Sequence, residues 1–347
     1  MKNRLVYIDV LKIIGALMVF FIHSRASSVW GNADVNFIVR IIYMIVTILS
    51  RSAVPLFMMI TGSLLLSKDE TTKVILTKRV LRSFLVIVFI AFLCLIQTYI
   101  NSKQINIKGF IYDVFNLVDR RSIVFWFLYW WLSFTIFLPI YQKFAKSINE
   151  DDYKYIITIC IVFNILFPVL NSIFSIINIE EIKMSSQFTL FMVADGLFYP
   201  FIGYYIDHLA KDSKITKTTN LILIILVSVL ISVLLTLITM TGDATLKQSW
   251  YFTPIITICI YKLVRNLFFK FDNEKVSRVI SFLGTQTIGI YLFHVFIPDS
   301  FSVMLSSIIS PVLGVHVYKI INFVVKFLLC AFITAALRLI KPFKKIL

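Results

Sequence analysis

The sequence predicts an all-α, polytopic membrane protein with about ten transmembrane helices and both termini in the cytoplasm. Composition is the first reason: 59% of the 347 residues are hydrophobic and 15% are charged. Soluble domains carry about a quarter charged residues, so this chain has too little polar surface to cover a soluble globule. The second reason is the arrangement of apolar residues in long runs with short polar connections. The third is the gathering of Lys and Arg in alternate connections.

A helix needs about 20 apolar residues to cross the hydrocarbon core. The first run, 5–25, is longer than a signal-peptide core and carries Asp9 and Lys12, so it reads as an uncleaved helix, although Ala26-Ser27-Ser28 mimics a cleavage site. The second, 37–66, is long enough for two segments, and Pro55 is expected to kink one tilted helix rather than end it. The third, 80–100, follows the basic cluster Lys78, Arg79 and Arg82, and the fourth, 123–143, opens on aromatic residues. Further runs cover 155–177, 188–206 and 219–240, then 250–269, 279–298 and 317–340. The intervening segment 299–316 is also apolar and reads either as a connection or as a re-entrant piece.

Loop charge tests this count. With the N-terminus inside, 22 of the 34 Lys and Arg fall on the cytoplasmic side, 8 outside and 4 within spans. That bias is the positive-inside pattern expected for an even number of spans. The same pattern accounts for the net charge of +16, which in a soluble protein would point to nucleic acid; no nucleic-acid partner is expected here. No polar stretch is long enough for a soluble domain, so residues 1–347 read as one transmembrane domain in contact with the lipid bilayer. Cys94, Cys160, Cys259 and Cys330 lie in four different runs without metal-ligand spacing. They read as small buried hydrophobes, and no metal site is expected.

Ionisable residues inside a bilayer are costly and face a cavity or a partner. Eleven steps along the chain take Lys12 to His23, leaving a residual rotation of about 20° and an axial distance of about 16 Å. Asp9 lies one turn from Lys12, so the three form one stripe, with His23 toward the outer end. A satisfied interhelical histidine and a helix-end Asp9–Lys12 ion pair are the bland alternatives. Arg51 lies near the middle of the second run, and a guanidinium there needs a carboxylate, a phosphate or water; Asp195 is a protein partner on offer. His294 lies in the outer half of the ninth run, at a depth similar to His23. Lys78, Arg79 and Arg82 either set topology or form a phosphate site, since clustered cations suit a polyphosphate.

Several segments resemble acyltransferase family 3, integral membrane enzymes that O-acylate sugars and envelope polymers. Tyr7-Ile8-Asp9-Val10-Leu11-Lys12, continuing through Gly15 to His23, resembles the family's opening, where an Arg and a His have ten residues between them; here the spacing is kept and Lys12 replaces the Arg. Arg51-Ser52-Ala53-Val54-Pro55-Leu56-Phe57, ending on Thr61-Gly62, is similar to the second-helix signature. Lys78-Arg79 with Arg82, Phe125-Trp126-Phe127-Leu128, Tyr199-Pro200-Phe201-Ile202-Gly203-Tyr204 and Gly289-Ile290-Tyr291-Leu292-Phe293-His294 resemble later landmarks. The six fragments occur in order across nearly the whole chain. Within the family the chain looks closest to stand-alone sugar or surface-polysaccharide O-acetyltransferases, without the extra esterase-like domain of other members.

The resemblance implies acetyl-CoA, or another acyl-CoA, as donor, a glycan or sugar acceptor, and a place in the plasma membrane. It implies that Lys12, Lys78, Arg79 and Arg82 bind the polyanionic donor at a cytoplasmic mouth. The pantetheine arm is comparable in length to the Lys12–His23 separation, so the thioester would arrive near His23. His23 would then act as general base or transient acyl carrier, with Arg51 stabilising the oxyanion and His294 orienting the acceptor or His23. A transporter or flippase for an anionic or glycan substrate explains the intramembrane charges equally well, but not the ordered motifs.

Overall fold

A computed structural model gives the fold and describes residues 5–24, 34–180, 182, 195–211, 213–238 and 250–346. Among the described residues there are helices and no strands. In chain order they are α1 (Val6–His23), α2 (Phe37–Ser50), α3 (Ala53–Leu65), α4 (Thr72–Ser102), α5 (Ile107–Arg120), α6 (Ile123–Ser147), α7 (Glu150–Ile161) and α8 (Phe167–Ile176). There follow α9 (Asp195–His208), α10 (Thr218–Ile238), α11 (Thr253–Phe268), α12 (Glu274–Phe293), α13 (Asp299–Leu313), α14 (Val315–Leu337) and α15 (Lys341–Ile346). Helices are the form an apolar chain must take in lipid, because each peptide group finds its hydrogen bond within its own segment.

Seven stretches among the described residues are long and apolar enough to cross a membrane: Val6–His23, Phe37–Leu65, Thr72–Ser102, Ile123–Ser147, Thr218–Ile238, Glu274–Phe296 and Val317–Leu337. The other three expected spans are seen as shorter helices. α7 and α8 are joined by a π-helical turn, Val162–Leu166, the sixth run is described only from Asp195 onward, and α11 has 16 residues. Polar ends are capped by the residues that precede them. Asn36 accepts from the Ile38 amide, Asn273 from Val276, and Asn149 forms a capping box with Asp152.

The break in the second span comes earlier than Pro55. α2 ends at Ser50 and α3 starts at Ala53, with Arg51 and Ser52 between them. Proline at 55 has no N–H to offer the carbonyl four residues back, at Arg51, and its ring crowds that carbonyl. The interruption therefore falls on Arg51.

The chain divides into two compact units, one of Met1–Leu64 with Ile148–Phe332, the other of Leu65–Ser147 with Ile333–Leu347. In the first, α1 packs along α12 and α11, and α10 lies against α11 and α2. α3 meets α9 through two glycines. A Cβ on Gly62 would overlap the Pro200 carbonyl, and one on Gly203 would overlap the Met59 carbonyl, so neither position has room for a side chain. Along α10 the usual polarity is inverted: Leu223, Leu226 and Leu230 are exposed, while Ser228, Ser232 and Thr236 are buried. Small polar residues inward and bulky apolar ones outward is the pattern of a helix facing lipid.

In the second unit α4 packs against α5 and α6, and α15 lies on α4 with Phe343 5.2 Å from Phe89. The helix α5 falls in a stretch read from the sequence as a loop. Its Ile107, Ile111 and Phe115 form an exposed apolar stripe, which suits the membrane interface, and its 14 residues reach only about 21 Å, short of a hydrocarbon core of about 30 Å. Its inner face holds Asp113, fully buried and paired with Arg120 at 2.9 Å and with Arg121. Asn116 leaves helical geometry, and the Tyr129 hydroxyl accepts from the Leu117 amide at 3.0 Å.

Candidate active site

α1 ends at His23, and α12 passes into a short 3-10 turn beginning at His294. The two helices pack side by side, closely enough at Gly284 that a Cβ there would sit 2.6 Å from the Cβ of Asp9. Their ends bring the histidine rings together, with centroids 5.4 Å apart and planes inclined by 34°. Phe20, one turn before His23, lies 5.8 Å from the His294 ring, and Phe323 and Phe327 pack edge-on against Phe20. The sequence placed the two histidines at one depth; the structure makes them neighbours.

His294 has a defined proton arrangement. Its Nδ1 lies 2.6 Å from the Tyr291 carbonyl. A carbonyl only accepts, so Nδ1 carries the proton and Nε2 is left as an acceptor. That Nε2 is buried and has no hydrogen-bond partner among the described residues. Both histidines line a cavity of about 620 Å³ whose far wall comes from α13 and α14, including Ser302, Ser306, Lys319 and Lys326. The apolar segment 299–316 thus supplies one side of this cavity.

Arg51 sits in the break between α2 and α3, where its guanidinium stacks 4.3 Å over the Trp250 ring. Its Nε is buried without a hydrogen-bond partner among the described residues, and its charge acts on His23. The expected Arg51–Asp195 pair lies outside the described residues, since the Asp195 side chain is not among them.

The cations assigned to the donor are placed as follows. Lys12, in the first unit, pairs with buried Asp9 at 3.2 Å, and Asp9 also accepts from Ser281. Lys78, Arg79 and Arg82, in the second unit, gather on the opening turns of α4, where π-helical geometry runs over Ile75–Val80. Lys78 is exposed. Arg79 donates through Nε and Nη2 to the two carboxylate oxygens of Glu70, at 3.1 and 2.6 Å. Those bonds hold the Glu70 carboxyl below the ordinary carboxylate range. Arg82 donates to the Ile346 carbonyl at 3.2 Å.

Two features escaped the sequence reading. Asp207 at the end of α9 gathers four partners in the first unit: the hydroxyls of Tyr7 (2.9 Å), Tyr261 (2.7 Å) and Ser63, and Arg265 at 2.8 Å. Its signal was an acid in a flank otherwise made basic by Lys211 and Lys214. The second is a hollow of about 730 Å³ where the start of α10 meets the end of α11, lined by Lys214, Lys217, Arg265 and Lys270. In sequence these were only topology-setting charges. Among the described residues no cluster of potential metal ligands occurs.

Neither a curated protein nor a solved structure matches the chain. A family model described as an acyltransferase domain matches residues 5–340, so helices α1 to α14, the histidine pair and the cavity lie within the matched region. With nearly the whole chain covered by that match, this helical membrane protein belongs to acyltransferase family 3.

Proposed function

We propose that this acyltransferase moves an acetyl, or another acyl, group from cytosolic acyl-CoA to a hydroxyl of an envelope glycan or sugar precursor at the plasma membrane. The observation that carries the proposal is the His23–His294 pair opening on a cavity, with His294 Nε2 left as a buried acceptor. A buried acceptor without a donor is costly, and a hydroxylated ligand supplies what is lacking. The reacting hydroxyl donates to His23, the more exposed ring, while a neighbouring hydroxyl donates to His294 Nε2. As the hydroxyl oxygen bonds to the thioester carbonyl carbon, its proton passes to His23. The C–S bond then breaks, and that proton leaves with the CoA thiolate. The charge of Arg51 acts on this end of α1 and stabilises the oxyanion between the two steps. Donor phosphates fall to Lys78, Arg79 and Arg82, with Lys12 as the cation of the first-helix motif; a point charge serves there, without the bidentate geometry of an arginine.

The test is acyl transfer by purified protein supplied with acetyl-CoA and candidate sugars. His23→Ala should remain folded and lose about 10²–10⁴ in kcat, the usual worth of a general base. His294→Ala should lose less and show it mainly in the acceptor KM. Near-wild-type turnover by a folded His23→Ala protein would remove His23 from the mechanism.

A further inference from the structure

The hollow of about 730 Å³ where α10 begins and α11 ends shares no lining residue with the histidine cavity. α10 is long and apolar enough to span the bilayer, so its first residue, Thr218, marks the membrane boundary, on the face that the loop charges make cytoplasmic. The turn before it is pinned in place. The Ser213 amide donates to Thr216 Oγ1, the Asn220 side chain to the Lys214 carbonyl, and the Asn266 side chain, on α11, to the Thr216 carbonyl, each at 2.8 Å. Into the hollow these elements bring Arg265 and the exposed Lys214, Lys217 and Lys270. Arg265 is already paired with Asp207, and its guanidinium lies 4.8 Å over the Phe269 ring. The charge is positive with every acid of these segments counted: 207–218 and 265–272 hold Lys211, Lys214, Lys217, Arg265 and Lys270 against Asp207, Asp212 and Asp272. Apolar side chains alternate with the cations. Ile215 stands between Lys214 and Lys217, Leu267 and Phe269 precede Lys270, and all three are exposed. Ile222, Leu223 and Leu226 continue an exposed apolar face along α10.

We infer that this hollow binds the phosphate headgroup of an anionic phospholipid. A cation at the bilayer surface attracts such a lipid by about fivefold in affinity, and three lysines converge here from two helices. The lipid phosphate enters from the side at the depth of Thr218, where it meets the lysines while its acyl chains run past Ile222 and Leu226. The start of α10 adds the positive end of a 21-residue helix. A soluble phosphate would use the same cations but leave Ile215, Leu267 and Phe269 against water, an arrangement the hydrophobic effect disfavours. Phe269 also packs on Tyr7, with ring centroids 6.0 Å apart, at the start of the helix that carries His23. Bound lipid therefore steadies the base of α1, and this is read in stability, without acyl transfer.

The experiment measures the thermal unfolding midpoint of the full chain in a neutral detergent with phosphatidylglycerol or phosphatidylcholine of the same acyl chains added. A ligand that binds the folded state raises the midpoint, and phosphatidylglycerol should raise it at mole fractions where phosphatidylcholine does not. The shift should shrink with added salt, which screens charge contacts. Native mass spectrometry of the wild-type protein taken from an equal mixture should show phosphatidylglycerol retained in preference, an outcome that needs no variant. Lys217→Gln with Lys270→Gln, one cation from each wall, should lower that preference on the order of tenfold. Lys143→Gln with Lys275→Gln, the same change of charge at exposed positions outside the hollow, should leave it unchanged. Glycerol 3-phosphate and acetyl-CoA offer phosphate chemistry without a bilayer. Stabilisation by glycerol 3-phosphate equal to that by the lipid, or an acetyl-CoA stabilisation that disappears in Lys217→Gln with Lys270→Gln, would assign the hollow to a soluble phosphate and overturn the lipid site. Equal stabilisation by the two phospholipids, or an equal loss in both pairs of variants, would overturn it as well, leaving only general attraction between a basic protein and an anionic surface.

Discussion

Arg79 spends two of its donors on Glu70, so a donor phosphate has to compete with a carboxylate already in place. Two outcomes follow from its proposed role. Arg79→Ala with Arg82→Ala should raise the KM for acyl-CoA, and more so at low ionic strength, where charge contacts are stronger. Glu70→Gln should lower that KM by freeing the guanidinium; an unchanged donor KM in both variants would take these residues out of the donor site. Glu70 also has a pH signature. Because its folded-state pKa is depressed by Arg79, it adds stability above the unfolded carboxylate value of about 4.3 and loses it as pH falls through the lower folded value. Both partners are partly exposed, so the pair contributes about 1 kcal/mol or less, visible as a flatter acid limb in Glu70→Gln unfolding curves. Asp207 is a different case, its side chain only 5% exposed with three hydroxyls and Arg265 around it. Asp207→Ala leaves those donors and the guanidinium without their acceptor and should cost about 3–5 kcal/mol, read as a lowered unfolding midpoint in detergent; a midpoint unchanged from wild type would show that the cluster carries no stability. His23 and Lys12 were legible because one helix period fixes which residues share a face. The partners of Asp207 were not, since Tyr7 is 200 positions away and no local rule links them.

Among elements, the crossing of α3 and α9 has the least tolerance. Gly62 faces the Pro200 backbone and Gly203 faces the Met59 backbone, and backbone atoms have no rotamer by which to yield. Gly62→Ala and Gly203→Ala should each destabilise by about 1–3 kcal/mol, as overpacking does. The double variant should cost less than the sum, because one widening of the same crossing relieves both clashes. Strict additivity in thermal unfolding would count against a shared crossing. Both glycines had been singled out in the sequence as motif residues, but not as each other's counterpart. The interruption at Arg51 is a similar case. Pro55 announced a disturbance, and the hydrogen-bond spacing of the helix moved it to the residue that carries the guanidinium.

For the whole molecule, charge bias and helix count make one joint claim about topology. A reporter fused after Leu347 should read cytoplasmic, and one inserted near Asn178, in the connection after α8, should read outside; ends on opposite faces would overturn the ten-span arrangement. By itself the sequence determined the all-α membrane class, the presence of several helices long and apolar enough to span, and the family. Each of these depends on local composition or on a single helix period, which any one segment reveals. Only the tertiary structure decided that the two histidines face each other, that Arg51 stacks on Trp250, that Asp207 holds four partners, and that the 299–316 segment walls the cavity beside the histidines. Those are contacts between segments far apart in the chain. They follow from which faces pack together, and in a helix bundle small residues at the crossings set that choice.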